Sequence, residues 1–238
     1  MKRLCVIPAR AGSKRVPHKN VKDFFGKPMI AHAIDAAKAS GIYDVIHVST
    51  DSDAIARVAE DRGIKPDFGR PEELTGDFVT IMDLLRYVVG EYLARGQEFD
   101  TICLIYATSP LVDPEDLKKA CADFEAGDPD KALLAVAPFP APIDHAFTIN
   151  DQKDLLPFNA DGLSRRTQDL SAGYYDAGMF CFYSPDYILK SSGAGDYTKF
   201  RAYVVPSWRA TDINWPEDWE HAAMMFRAML QKQSEDEA

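Results

Sequence analysis

Arg10-Ala11-Gly12-Ser13-Lys14-Arg15, continuing through Lys19 and Asn20, follows directly on an apolar run from Leu4 to Pro8. A buried strand opening into a glycine-bearing loop rich in Lys and Arg suits a polyanion, because backbone N–H groups and fixed positive charges converge on the same oxygens. A nucleoside triphosphate is the ligand class this pattern points to. The G-x-x-x-x-G-K-[ST] spacing of a Walker-type phosphate loop is absent. Eight of the first 27 residues are Lys or Arg and only Asp23 is acidic, in a chain of 238 residues with a formal net charge of -10. A solvated basic leader or a nucleic-acid patch would also concentrate cations, but the acidic balance of the whole chain runs against nucleic acid, which selects a basic domain.

Such a loop needs elements to hold it at an open edge. Leu4 to Pro8 is the continuous apolar run of a buried parallel strand, and similar runs recur at Val45 to Ser49, Thr101 to Tyr106 and Ala132 to Val136. Helical stripes lie between them: Ile30, Ala33, Ile34 and Ala37; then Ile55, Val58 and Ala59, with Asp51 and Ser52 as capping candidates. The third, at Ile81, Leu84, Leu85, Val88, Val89 and Tyr92, keeps one apolar face in helical register. Strand alternating with helix predicts an α/β fold, a mostly parallel sheet covered on both faces, with ligands beyond the carboxyl ends of the strands. Ala9 to Asn20, Thr50 to Ser52, Tyr106 to Pro110 and the segment after Val136 then become neighbours.

The rhythm breaks at Ala137, where Pro138, Pro140 and Pro142 come close together. Apolar side chains such as Phe147, Ile149, Leu155 and Phe158 persist through this stretch, which predicts an ordered arm over 138–174 packing on a second subunit. Strands are expected again at Met179 to Tyr183 and Tyr203 to Val205, and a final helix with Trp219, Ala222, Ala223, Phe226 and Leu230 on one side. The organisation expected is one domain over 1–230, with a flexible polar tail at 231–238. No run of eighteen apolar residues and no signal-type leader occurs, so neither a membrane nor export is expected and the location is cytoplasmic. Cys5, Cys103, Cys121 and Cys181 show no C-x-x-C spacing and are expected as buried, reduced thiols.

The stretch Ile7 to Asn20, followed by Gly26-Lys27-Pro28-Met29-Ile30, resembles the opening of the acylneuraminate cytidylyltransferases, which activate nonulosonic acids with CTP. Val48-Ser49-Thr50-Asp51, Arg70-Pro71-Glu72-Glu73-Leu74, Ala107-Thr108-Ser109-Pro110, Arg166 through Leu170, Asp176-Ala177-Gly178 and Asp212-Ile213 follow in the family's order. Ile105-Tyr106-Ala107-Thr108 and Gln168-Asp169-Leu170 look most like its pseudaminic acid branch. The resemblance implies a Rossmann-like three-layer αβα sandwich of the nucleotide-diphospho-sugar transferase type, a protruding dimerisation arm and a homodimer. N-acetylneuraminic or legionaminic acid as substrate remains the alternative, as does a non-catalytic nucleotide-binding homologue. A 3-deoxy-octulosonate enzyme ranks lower, because the Arg-x-Gln-Asp-Leu stretch is not typical of it.

The resemblance also assigns roles. Arg10 and Lys19 go to the phosphates, with Ala9, Ala11, Gly12, Ser13, Lys14 and Asn20 lining the same loop. Arg70 falls near the base, with a loop-capping surface arginine as the other reading. Thr80 opens the third helix, where a capping hydroxyl is at least as good an explanation as nucleotide contact. Tyr106, Thr108 and Ser109 are placed at the base or the sugar, and Tyr106 replaces a glutamine of the sialic acid enzymes. Arg166 suits the sugar's carboxylate, since a guanidinium pairs bidentately, unless it is a solvated arm residue. Gln168 and Asp176 are candidates for sugar hydroxyls and N-acyl groups. The family holds Mg²⁺ with an Asp-x-Asp pair where this chain reads Asp212-Ile213-Asn214, so Asp212 is expected to keep the metal and Asn214 to lend a carbonyl oxygen.

Overall fold

A computed structural model describes residues 1–13, 15–193 and 195–236. Its elements run β1 (Arg3–Pro8), β2 (Asp23–Phe24), β3 (Lys27–Pro28), α1 (Met29–Ser40), β4 (Val45–Ser49), α2 (Asp53–Asp61), α3 (Ile81–Ala94) and β5 (Thr101–Ile105). Then come α4 (Pro114–Ala126), β6 (Ala132–Pro138), β7 (Phe147–Ile149), β8 (Leu155–Pro157), β9 (Tyr174–Tyr183), α5 (Pro185–Lys190), β10 (Phe200–Val204) and α6 (Pro216–Asp236).

The central sheet has the order β10-β6-β9-β5-β1-β4. β1 lies parallel to both β4 and β5, and β10 parallel to β6, while β9 runs antiparallel between β5 and β6. Alternation along β1 splits the core in two. Cys5 and Ile7 face α1, α2 and α4, whereas Leu4 and Val6 face α3 and α5. All four are fully buried, which is why β1 reads as an unbroken apolar run and why the molecule is a three-layer αβα sandwich.

From β1 the chain crosses to β4 on one side and later to β5 on the other. The loops after β1 and β5 therefore open at a point where strand order reverses, the place where open α/β sheets hold ligands. A third cluster fastens α6 below the site, with Phe24, Met29, Leu111, Ile213, Ala222 and Phe226 buried together.

The segment expected as an arm lies between β6 and β9, tied at its root by Phe139 N–H donating to the Gly173 carbonyl at 3.0 Å. It carries the β7–β8 hairpin, whose residues are exposed on both strands. Two expectations need correction. The strand expected at Met179 begins five residues earlier, at Tyr174, because Tyr174, Tyr175 and Asp176 pair with the end of β6. The last helix continues to Asp236, so 231–236 are helical where an irregular tail is expected; 237 and 238 lie outside the described residues. All four cysteines are buried and unpaired. No helix among the described residues is long and apolar enough to cross a membrane.

Candidate active site

Three cavities meet at the carboxyl end of the sheet. The first, about 470 Å³, is lined by Arg10, Gly12, Ser13, Arg15, Lys19, Asn20, Tyr106, Thr108 and Asn214. The second, about 250 Å³, shares Pro8, Arg10, Asp77 and Tyr106 with it and adds Arg70, Thr80 and Leu84. A small recess of about 140 Å³ extends from Tyr106 and Thr80 to Asp176, Leu134, Tyr183 and Phe200. Tyr106 borders all three, held by its own N–H donating to the Met179 carbonyl at 2.9 Å.

The loop after β1 is braced from within. Ala9 is buried and its N–H donates to the Ser49 carbonyl at 3.0 Å, while Asn20 Nδ2 donates to the Arg10 carbonyl at 3.1 Å. The Ala11 N–H donates to Oδ1 of Asp51 at 2.8 Å, so a backbone donor of this loop already meets a carboxylate. Asp51 and Ser52 are both capping candidates by sequence; the cap is Ser52, whose Oγ accepts from Ile55 N–H. Arg10 reaches across the cleft mouth to Asp77 at 2.9 Å, both side chains being substantially exposed. Lys14 lies outside the described residues.

Lys19 is more enclosed. Its Nζ donates to the carbonyl of Ile213, and burial lowers its pKa against the opposing pull of Asp212. Arg15 donates to Oδ1 of Asn214 at 3.0 Å, and the guanidinium stands 5.0 Å from the centroid of the Trp215 ring. Two cations of the loop thus grip the segment that carries Asp212. Ile213 is fully buried, so its neighbours Asp212 and Asn214 are turned outward on either side of it. Asn214 Nδ2 donates to Oδ2 of Asp212 at 2.6 Å.

Arg70 is anchored on β4: one guanidinium nitrogen donates to the Ser49 carbonyl at 2.9 Å, and burial lowers its pKa. Thr80 caps α3 in a reciprocal box with Asp83, accepting its N–H at 3.1 Å and donating to Oδ2 at 2.7 Å. Ser109 is buried, and its hydroxyl donates to the Gly178 carbonyl at 2.6 Å, a contact inside the scaffold. Asp176 is pushed upward in pKa, first by burial and also by Asp212, while accepting from Gly178 N–H at 2.8 Å.

Arg166 and Gln168 do not join this cleft. Both sit on the arm, and Arg166, with its side chain 74% exposed, pairs with Asp169 at 2.8 Å. They line none of the three cavities of their own chain.

The family model described as Cytidylyltransferase matches residues 4–190, from β1 through the loop, the cleft and the arm to α5. The chain belongs to the cytidylyltransferase family. A pseudaminic acid cytidylyltransferase of Campylobacter jejuni subsp. jejuni serotype O:23/36 is 35% identical to this cytidylyltransferase over 233 residues, covering 95% of this chain and 97% of the relative. An N-acylneuraminate cytidylyltransferase of Streptococcus agalactiae serotype V is 32% identical over 225 residues, covering 93% of this chain and 52% of the relative. In fold, the cytidylyltransferase resembles a solved CMP:2-keto-3-deoxy-manno-octonic acid synthetase complexed with CTP, with a TM-score of 0.69 at 19% identity, covering 96% of this chain and all of that one.

Proposed function

We propose that this cytidylyltransferase joins CTP to a nonulosonic acid, giving the CMP-sugar and pyrophosphate, and that pseudaminic acid is the sugar. The carrying observation is one continuous cleft whose two larger chambers share Arg10 and whose third opens behind Tyr106. The preference for pseudaminic acid rests on the 35% identity to the Campylobacter enzyme over nearly the full chain.

In this reading the triphosphate lies on the loop after β1. Arg10, Lys14, Lys19 and the backbone of residues 11–13 take its charge, with Ser13 and Asn20 beside them. The cavity of Arg70 takes the base, and Thr80 shapes its wall. The sugar lies along Tyr106, Thr108 and Asp176, with Ser109 fixing the strand end behind it. A sugar hydroxyl loses its proton to solvent and its oxygen bonds to the α-phosphorus as the bond from that phosphorus to the bridging oxygen breaks, and pyrophosphate leaves with the bridging oxygen. The charge that gathers on pyrophosphate is what Arg10 and Lys19 stabilise.

Mg²⁺ fits Asp212. Among the described residues no three His, Cys, Asp or Glu converge on one point, but Mg²⁺ needs only one or two carboxylates when phosphates fill its other positions. Bound there with the nucleotide, it supplies further neutralisation of phosphate charge. The arm supports a homodimer: Phe147, Ile149, Leu155, Leu156 and Phe158 are all exposed on it, and one copy leaves Arg166 and Gln168 outside its own cleft. We place both residues at the sugar's carboxylate and acyl groups in the neighbouring copy's cleft. A cytoplasmic location belongs to the same proposal.

The test is pyrophosphate release from CTP and Mg²⁺ with pseudaminic, N-acetylneuraminic, legionaminic and 3-deoxy-octulosonic acids in turn. The fastest release is expected with pseudaminic acid. Faster release with another acid would reassign the sugar, and no release with any would end the enzymatic reading.

A further inference from the structure

Asp212 is exposed, and an exposed carboxylate samples several rotamers unless a neighbour holds it. That neighbour is Asn214. Its Nδ2 donates to Oδ2 of Asp212 at 2.6 Å, and its Oδ1 accepts from Arg15 at 3.0 Å. Both ends of the amide are engaged, and only one orientation satisfies them: turned over, oxygen would face a carboxylate and NH₂ a guanidinium. Arg15 is steadied on Trp215, and the backbone N–H groups of Asn214 and Trp215 both donate to Oδ2 of Asp218, at 2.8 and 2.7 Å. The Asn214 side chain is therefore fixed between a cation and an anion on a loop that is itself tied down.

We propose that Asn214 is a positioning residue: pinned by Arg15, its amide grips one oxygen of Asp212 and sets the direction from which that carboxylate meets the metal on the nucleotide. This rests on the metal reading of Asp212 above, and it changes the part of Asn214 from ligand to holder, since the carbonyl oxygen expected to face a metal accepts from Arg15. An asparagine is the residue type that can bridge these two charges. An aspartate at 214 would keep Arg15 but has no N–H to donate to Asp212, so it would act as a second carboxylate and not as a holder. An alanine would remove this grip on the carboxylate.

The test is Mn²⁺ affinity for the full chain saturated with CTP, without sugar acid, read by electron paramagnetic resonance, with thermal melts run alongside. Asn214→Ala is expected to weaken Mn²⁺ about tenfold, within the range that removing a ligand's hydrogen-bond partner produces, with the melt unchanged. Because Arg15 acts through the amide, Arg15→Met combined with Asn214→Ala should be no weaker than Asn214→Ala alone. Wild-type Mn²⁺ affinity in Asn214→Ala, or additive losses in the double variant, would each overturn the proposal. Asp212→Ala separates the two layers. If it loses Mn²⁺ while Asn214→Ala keeps it, only the positioning role falls; if both keep it, the metal reading of Asp212 falls as well.

Discussion

Gly178 packs against Asp212 so closely that a Cβ on the glycine would stand 2.7 Å from the Cβ of Asp212. The backbone there has φ +61°, in the left-handed region that side chains disfavour, and Ser109 and Asp176 hold its carbonyl and N–H. Gly178→Ala must therefore strain the backbone and push Asp212 away together. We expect a stability loss of about 1–3 kcal/mol by denaturant unfolding. The Mg²⁺ concentration for half-maximal pyrophosphate release should rise, and an unchanged Mg²⁺ dependence would show that Asp212 is not seated by this contact.

Arg10→Ala separates charge from scaffold. The Arg10–Asp77 pair is exposed on both sides, so its loss should change stability by less than about 1 kcal/mol. Turnover should fall by at least ~100-fold if the guanidinium stabilises the departing phosphates. Wild-type turnover in a folded Arg10→Ala protein would mean the loop has been misassigned.

Thr80 is expected to act chiefly as a cap, since its hydroxyl is already engaged by Asp83. Thr80→Ala should lower stability by ~1 kcal/mol. Its KM for CTP should stay within about threefold of wild type. A much larger KM change without a stability change would move Thr80 into direct contact with the nucleotide.

His47 gives the fold an acid limit. Burial drives its pKa down to about 4. Nδ1 lies 3.2 Å from the Tyr92 hydroxyl, which itself donates to Asp67 at 2.7 Å, and Nε2 has no partner among the described residues. Protonation would put an unpaired N–H in the core. The unfolded chain binds this proton near pH 6.5 and the folded chain only near 4, so stability is full above about 6.5 and falls as pH drops toward 4. This group accounts for up to ~3 kcal/mol of that loss. Denaturant midpoints between these pH values should fall less steeply in His47→Gln, and an identical slope would remove His47 as the cause.

Much of this architecture is legible in residue order because buried parallel strands and long amphipathic helices leave strong periodic signals. β1 and α3 show it best: Leu4 to Ile7 are buried on both sheet faces, and α3 follows the stripe that begins at Ile81. α4 and α5 are not among the helical stripes predicted from the sequence, although Asp113 followed by Pro114 and Ser184 followed by Pro185 are helix start signals. The direction of β9 is not written in its residues. It follows from the arm, which returns the chain beside β6 and makes that strand antiparallel.

At the candidate site, residue types suggest which side chains could serve the chemistry but not which are already held by neighbours. Asp51 and Ser52 are both cap-forming residues, and only the fold shows one capping α2 and the other meeting the Ala11 N–H. Ile213 could be read as a spacer, yet its burial is what turns Asp212 and Asn214 outward. Arg166 and Gln168 lie on the segment between β6 and β9, away from the cleft of their own chain, so local pattern could name them without placing them.

The most direct test of the whole account is a crystal structure of the protein with CTP bound. The triphosphate should lie on the loop after β1, with phosphate oxygens within about 3 Å of Arg10 and of backbone N–H groups of residues 11–13, and the base in the cavity of Arg70. A nucleotide lodged elsewhere, with that loop facing open solvent, would contradict it.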